Sequence, residues 1–173
     1  MAAPGKKIGL EVKTYVEGFH DKEAVQKIPY REIGNTGMQV SCLALGASAF
    51  GSVFRETDDS EAIQVVHDSL KAGINYIDAA PWYGHGKAET VCGKAFKDVP
   101  RESYYFATKV GRYEADTLEM FDFSRDRTLR SVEESLARTG LEYLDVVQAH
   151  TPAHGALFLS KKRLILGCVW PGA

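Results

Sequence analysis

Apolar positions along the chain fall into short blocks separated by glycine-rich and polar turns, and their spacing switches between a period of two and a period near 3.6. Residues 1–28 mix charges with scattered apolar positions and show no clean period. They predict a partly ordered extension without chemistry of its own. From Ile28 the pattern sharpens: Pro29-Tyr30-Arg31, the turn cluster Gly34-Asn35-Thr36-Gly37 and Val40 predict a small hairpin. Leu43-Ala44-Leu45 then predicts a short buried strand that opens into the small-residue loop Gly46-Ala47-Ser48-Ala49-Phe50-Gly51.

Asp58 with Glu61 resembles a capping box, Ile63, Val66 and Leu70 recur at helical spacing, and Gly73 suits the residue just past the helix end. Residues 74–77 read as a strand with Asp78 at its carboxyl end. Residues 89–96 predict a second helix, and residues 104–108 a strand carrying Lys109. Ser124 is a plausible N-cap for a third helix, in which Leu129, Val132 and Leu136 share a face and Gly140 closes the last turn. Residues 141–149 supply a fourth strand with His150 at its end. Strands alternating with helices imply parallel pairing through helical crossovers, and in such folds ligands bind beyond the carboxyl ends of the strands.

Composition narrows the class of function. The 173 residues are 45% apolar and 25% charged, an ordinary globular mix. The apolar run at residues 164–170 is far shorter than the roughly 18 residues a membrane span requires, so no membrane partner is expected. Lys and Arg number 21 against 23 Asp and Glu, and without a basic stripe nucleic acid is not an expected partner. Cys42, Cys92 and Cys168 are odd in number and unclustered, which suits reduced thiols and a cytoplasmic location. With His20, His67 and His154 the cysteines form no metal-binding spacing, so no metal is expected.

Asp78, Tyr83, Lys109 and His150 are brought to one mouth by this register. Singly, each has an ordinary reading: a turn former, a packing ring, a surface charge, a loop histidine. Together they suit proton transfer. A phenol has a pKa of about 10, and an ammonium about 4 Å away contributes on the order of 4 kcal/mol at an effective dielectric near 20, enough to make tyrosine a usable acid and base. Lys109 could supply that charge, Asp78 could keep the lysine ionised, and His150 could donate to a carbonyl oxygen and orient it. Other motifs carry less. In Gly84-His85-Gly86-Lys87-Ala88, Pro81 stands where a phosphate loop needs its first glycine, and Ala88 where it needs Ser or Thr. His85 follows Tyr83 closely enough to approach a substrate, but a solvated loop residue is the plainer reading. Gly46 to Gly51 does not match the Rossmann glycine pattern.

Gly46-Ala47-Ser48, Asp78-Ala79-Ala80-Pro81-Trp82-Tyr83-Gly84, Ala107-Thr108-Lys109-Val110-Gly111-Arg112 and Gln148-Ala149-His150, in that order, resemble the successive motifs of the aldo-keto reductases. Gly51-Ser52-Val53-Phe54, Gly111-Arg112-Tyr113 and Phe121-Asp122-Phe123-Ser124 are similar to the L-galactose dehydrogenase branch of that family. The resemblance implies an α/β fold of the (β/α)8 TIM-barrel type and hydride transfer between NAD or NADP and a small carbonyl or hydroxyl substrate, such as the sugar L-galactose. It gives Tyr83 the role of general acid and base, Asp78 and Lys109 that of tuning it, and His150 that of orienting the carbonyl. Gly46, Ala47, Ser48 and Asp78 become the cofactor-binding positions, the small residues leaving room for a nicotinamide ribose.

The resemblance runs from about Tyr30 to His150, which divides the chain into an extension (1–28), a partial reductase domain (29–150) and a divergent tail (151–173). A complete (β/α)8 barrel takes roughly 250 residues and seldom fewer than about 200. The expectation is therefore the N-terminal half of a barrel, about four βα units, truncated after His150, with edge backbone and apolar helix surface left uncovered. Two functional readings stay open: an oxidoreductase of aldo-keto reductase type, and a non-catalytic truncated isoform or half-barrel that is unstable or acts only through a partner chain.

Overall fold

A computed structural model of the chain describes residues 12–116 and 118–150. The divergent tail, with His154, Cys168 and the 164–170 run, lies outside the described residues, as does the start of the extension.

Four parallel strands form the central sheet in chain order: β3 (Leu45–Gly46), β4 (Tyr76–Asp78), β5 (Tyr105–Val110) and β6 (Val146–Ala149). Helices α2 (Asp59–Lys71), α3 (Lys87–Phe96) and α4 (Arg125–Thr139) form the crossovers between them. Parallel neighbours need such connections, and this succession is the building pattern of a (β/α)8 barrel. Before it come helix α1 (Lys22–Lys27) and the antiparallel hairpin of β1 (Tyr30–Glu32) with β2 (Gln39–Ser41). Among the described residues no helix is long and apolar enough to cross a membrane.

Local chemistry sets the boundaries. Asp58 caps α2 by accepting from the amides of Ser60 and Glu61, and Gly73 (φ +95°) donates its amide to Leu70 as the chain leaves the helix. Ser124 caps α4, and Gly140 ends it in a left-handed conformation (φ +70°). Val66 and Leu70 face the core with Ile77, Val91, Cys92 and Phe106.

Several sequence expectations are corrected. The run 43–45 is a strand only at Leu45–Gly46, and Leu43 is 61% exposed, because apolar identity without a packing partner does not bury a residue. The fourth strand is four residues long rather than nine. Residues 142 and 143 are exposed, and Asp145 uses its carboxylate to accept from the Phe106 amide (2.8 Å) and Arg101 (2.6 Å), an anchor ahead of the strand. Leu129, Val132 and Leu136 do share a face of α4, but the buried face is Ser131, Ser135 and Thr139. Small residues are required there because α3 and α4 approach so closely that a Cβ on Gly93 would meet the Thr139 carbonyl at 2.7 Å. Residues 22–27 of the extension form a helix that periodicity does not predict, capped by Asp21 and carrying Val25 against Val12 and Tyr30. Asn75, 1% exposed, binds this region to the sheet: it accepts from the Ser41 amide and donates to Thr14 Oγ1 and the Gln39 carbonyl, each at 2.8 Å.

A second buried polar unit fixes the helical layer. Glu89, fully buried, accepts from Thr108 Oγ1 (2.5 Å) on β5 and pairs with Arg138 Nε (2.6 Å) on α4. Removing the carboxylate strands a guanidinium and a hydroxyl. Glu89→Ala is expected to lower unfolding free energy by about 2–4 kcal/mol, with Glu89→Gln recovering part of it, measured by urea denaturation.

Candidate functional site

The carboxyl edge of the sheet collects the predicted residues because the strands run in step. Gly46 pairs with Asp78, Asp78 with Ala107, and Lys109 with Gln148. Side chains alternate along a strand, so Thr108 points to the helical layer and Lys109 to the mouth. His150 follows β6 and continues the ladder by donating its amide to the Val110 carbonyl (2.8 Å). Tyr83 lies in the turn between β4 and α3, where its amide binds the Ala80 carbonyl (3.0 Å) and its own carbonyl accepts from Ala88 (3.2 Å).

Two glycines hold that turn. A Cβ on Gly51 would collide with the Tyr83 carbonyl, and one on Gly84 (φ +65°) with the carbonyl of Gly51. The loop after β3 and the tyrosine turn thus meet backbone to backbone, which only glycine allows.

Lys109 is the hub. Its ammonium donates to Asp78 Oδ1 and to the Ala79 carbonyl (2.9 Å), and it lies over the Tyr83 ring, 4.7 Å from the centroid. Gln148 donates to the other Asp78 oxygen (2.8 Å) and also contacts Tyr76 Oη (3.3 Å). His150 faces the Tyr83 ring edge-on, centroids 6.4 Å apart. The four predicted residues Asp78, Tyr83, Lys109 and His150 are thus in one cluster.

Burial, with the charges of Lys109 and Arg112, pushes the His150 imidazole down to about 4 against a weaker upward pull from Asp78. It is neutral at pH 7. Its Nδ1 is buried and finds no partner among the described residues, leaving a polar atom to be met by a ligand.

Of the small residues predicted to make room for a cofactor, Gly46 is exposed beside Asp78 and Ser48 is half-buried, whereas Ala47 is fully buried and packs in the core. The sequence alone gives Gln148 no distinguishing signal, and its register opposite Lys109 emerges once strand β6 is placed. Ala79, whose carbonyl completes the lysine's coordination, leaves no side-chain signature at all.

The Aldo/keto reductase family model matches residues 42–156, about two thirds of the chain. L-galactose dehydrogenase from Arabidopsis thaliana is 42% identical over 133 residues, covering 76% of this chain and 40% of its own length. Aldo-keto reductase YhdN from Bacillus subtilis is 34% identical over 125 residues, 71% of this chain and 38% of its own. Among solved structures, the aldo-keto reductase AKR11C1 from Bacillus halodurans superposes with a TM-score of 0.61 at 33% identity, covering 70% of this chain and 40% of that one. The chain spans about two fifths of the length of the curated relatives it matches, and its parallel sheet with helical crossovers corresponds to part of a TIM barrel. It is a member of the aldo/keto reductase family.

Proposed function

We propose that the Tyr83 cluster handles the proton in a reversible oxidoreduction, in which a small carbonyl or hydroxyl compound, with a sugar of the L-galactose type as the leading candidate, exchanges a hydride with NAD or NADP. The observation that carries this reading is the Asp78–Lys109 pair set against the Tyr83 ring with neutral His150 across it. The 42% identity to an L-galactose dehydrogenase supports the sugar.

The residues present suit a nicotinamide cofactor. Gly46, opposite Asp78 in the sheet, has open space where a side chain would stand, and Nδ1 of His150, unpartnered among the described residues, leaves a polar group to be satisfied in the same mouth. The bound nicotinamide would supply or accept the hydride. In the reductive direction the Tyr83 hydroxyl donates a proton to the substrate oxygen, and in the oxidative direction it takes that proton back. The Lys109 ammonium lies over the ring that carries this proton, Asp78 and the Ala79 carbonyl hold the ammonium in place, and Gln148 anchors the other carboxylate oxygen. His150, uncharged, presents an N–H to the substrate oxygen without competing as a proton donor of carboxylic-acid strength.

A non-catalytic role has one observation in its favour: Leu129 on α4 is 47% exposed. Turnover separates the two. With NADH or NADPH and a small aldehyde, or NAD(P)+ and L-galactose, the enzyme reading expects cofactor absorbance to change, and Tyr83→Phe to lower the rate by roughly 10²–10⁴-fold. The Phe variant should still gain thermal stability with cofactor, since binding to the folded state alone raises the melting temperature. No turnover and no shift at millimolar cofactor would leave the non-catalytic reading.

His150 also sets an acid limit. Its folded-state pKa lies below the unfolded value of about 6.5, so below that pH the unfolded chain takes up a proton that the folded site resists. Stability should therefore fall as pH drops from about 6.5 towards 4, and His150→Gln should flatten that segment of a melting-temperature profile.

A further inference from the structure

Arg112 stands where the chain leaves β5. Gly111 (φ +106°) turns it there, with the Phe123 ring packed where any side chain on Gly111 would stand. The backbone then folds back on itself: Asp122 donates to the Gly111 carbonyl and Tyr113 to the Met120 carbonyl, each at 2.9 Å, and Arg112 bridges to Phe121. This fixed turn sets the guanidinium over the Trp82 ring, 4.6 Å from the centroid and one residue from Tyr83. Its charge is also one of the two that depress the basicity of His150.

Among the described residues the charge of Arg112 meets no carboxylate. The other partly buried guanidiniums have carboxylate partners: Arg101 with Asp145, Arg127 with Glu134, Arg138 with Glu89. Lys109 is matched by Asp78. Arg112 has no ion pair among the described residues, and its Nε is buried without an acceptor. A buried donor left unsatisfied is costly, and one held in place by an aromatic face beside a reaction centre is arranged to be satisfied by a ligand. The planar fork of guanidinium donors suits two adjacent oxygens.

We propose that Arg112 is a substrate-specificity residue, receiving a pair of adjacent oxygens, vicinal hydroxyls or a carboxylate, on the substrate whose reacting carbonyl lies between Tyr83 and His150. This rests on the oxidoreductase reading of the Tyr83 cluster. It selects polyhydroxy or acidic aldehydes over simple alkyl ones, with Trp82 serving as the platform that keeps the fork in plane.

Isothermal titration of the full chain with L-galactose and with D-galacturonate, in the presence of cofactor, provides the test. Arg112→Gln should weaken binding of at least one of them by tenfold or more, and Arg112→Lys should recover little, because an ammonium is a point charge without the fork. A larger loss for L-galactose identifies the hydroxyl pair, and a larger loss for D-galacturonate the carboxylate. An unchanged melting temperature in both variants excludes a folding defect. Binding of both sugars by Arg112→Gln within twofold of the parent overturns the inference. So does a parent chain that binds neither sugar yet is stabilised by cofactor, an outcome that leaves the Tyr83 reading standing. A parent chain that binds neither sugar nor cofactor removes both.

Discussion

An ammonium withdrawn from bulk water at the mouth of a parallel sheet has to be met by an opposite charge and by oriented dipoles, and the site is organised around that requirement. Lys109 is met by Asp78 from the neighbouring strand and by the Ala79 carbonyl just beyond it. Asp78 in turn is held by Gln148 from the strand on the other side of the lysine. Three consecutive strands each contribute one member, so the ion pair can form only if their register is correct. Tyr83 and His150 then take positions around a charge already fixed.

The reverse side of β5 shows the same logic. One residue before Lys109, Thr108 turns to the helical layer and meets the fully buried Glu89, which also holds Arg138. Alternation along one strand thus places a polar anchor on each of its faces. The anchor towards the helices fixes α3 and α4 against the sheet, and α3 begins directly after the tyrosine turn. The chain's packing and its site are tied through adjacent residues of a single strand.

Much of this could be read from sequence because it is local. Asp58, Ser124, Gly73 and Gly140 mark helix ends by chemistry that acts within a few residues, and Asp78, Lys109 and His150 follow from locating strand ends. What escaped is decided at longer range. The buried face of α4 consists of Ser131, Ser135 and Thr139 because of how near α3 comes, and a search for apolar stripes selects Leu129 instead. The helix at 22–27 depends on contacts with Val12 and Tyr30 that its own spacing does not announce. Gln148 looked like an ordinary strand residue until the register put it beside Asp78. Within its motif Arg112 looks like any basic residue, and its lack of a carboxylate partner among the described residues is a property of three-dimensional neighbourhood.

The contact between Gly51 and Gly84 has a mechanical meaning. Where two loops meet through side chains, a shift in one is absorbed by rotamers in the other. Here the peptide planes themselves touch, with no intervening atoms to give way. The loop after β3 and the turn bearing the phenol are therefore in direct backbone contact, and a displacement of one bears directly on the other. Enlarging either glycine alone therefore displaces both loops.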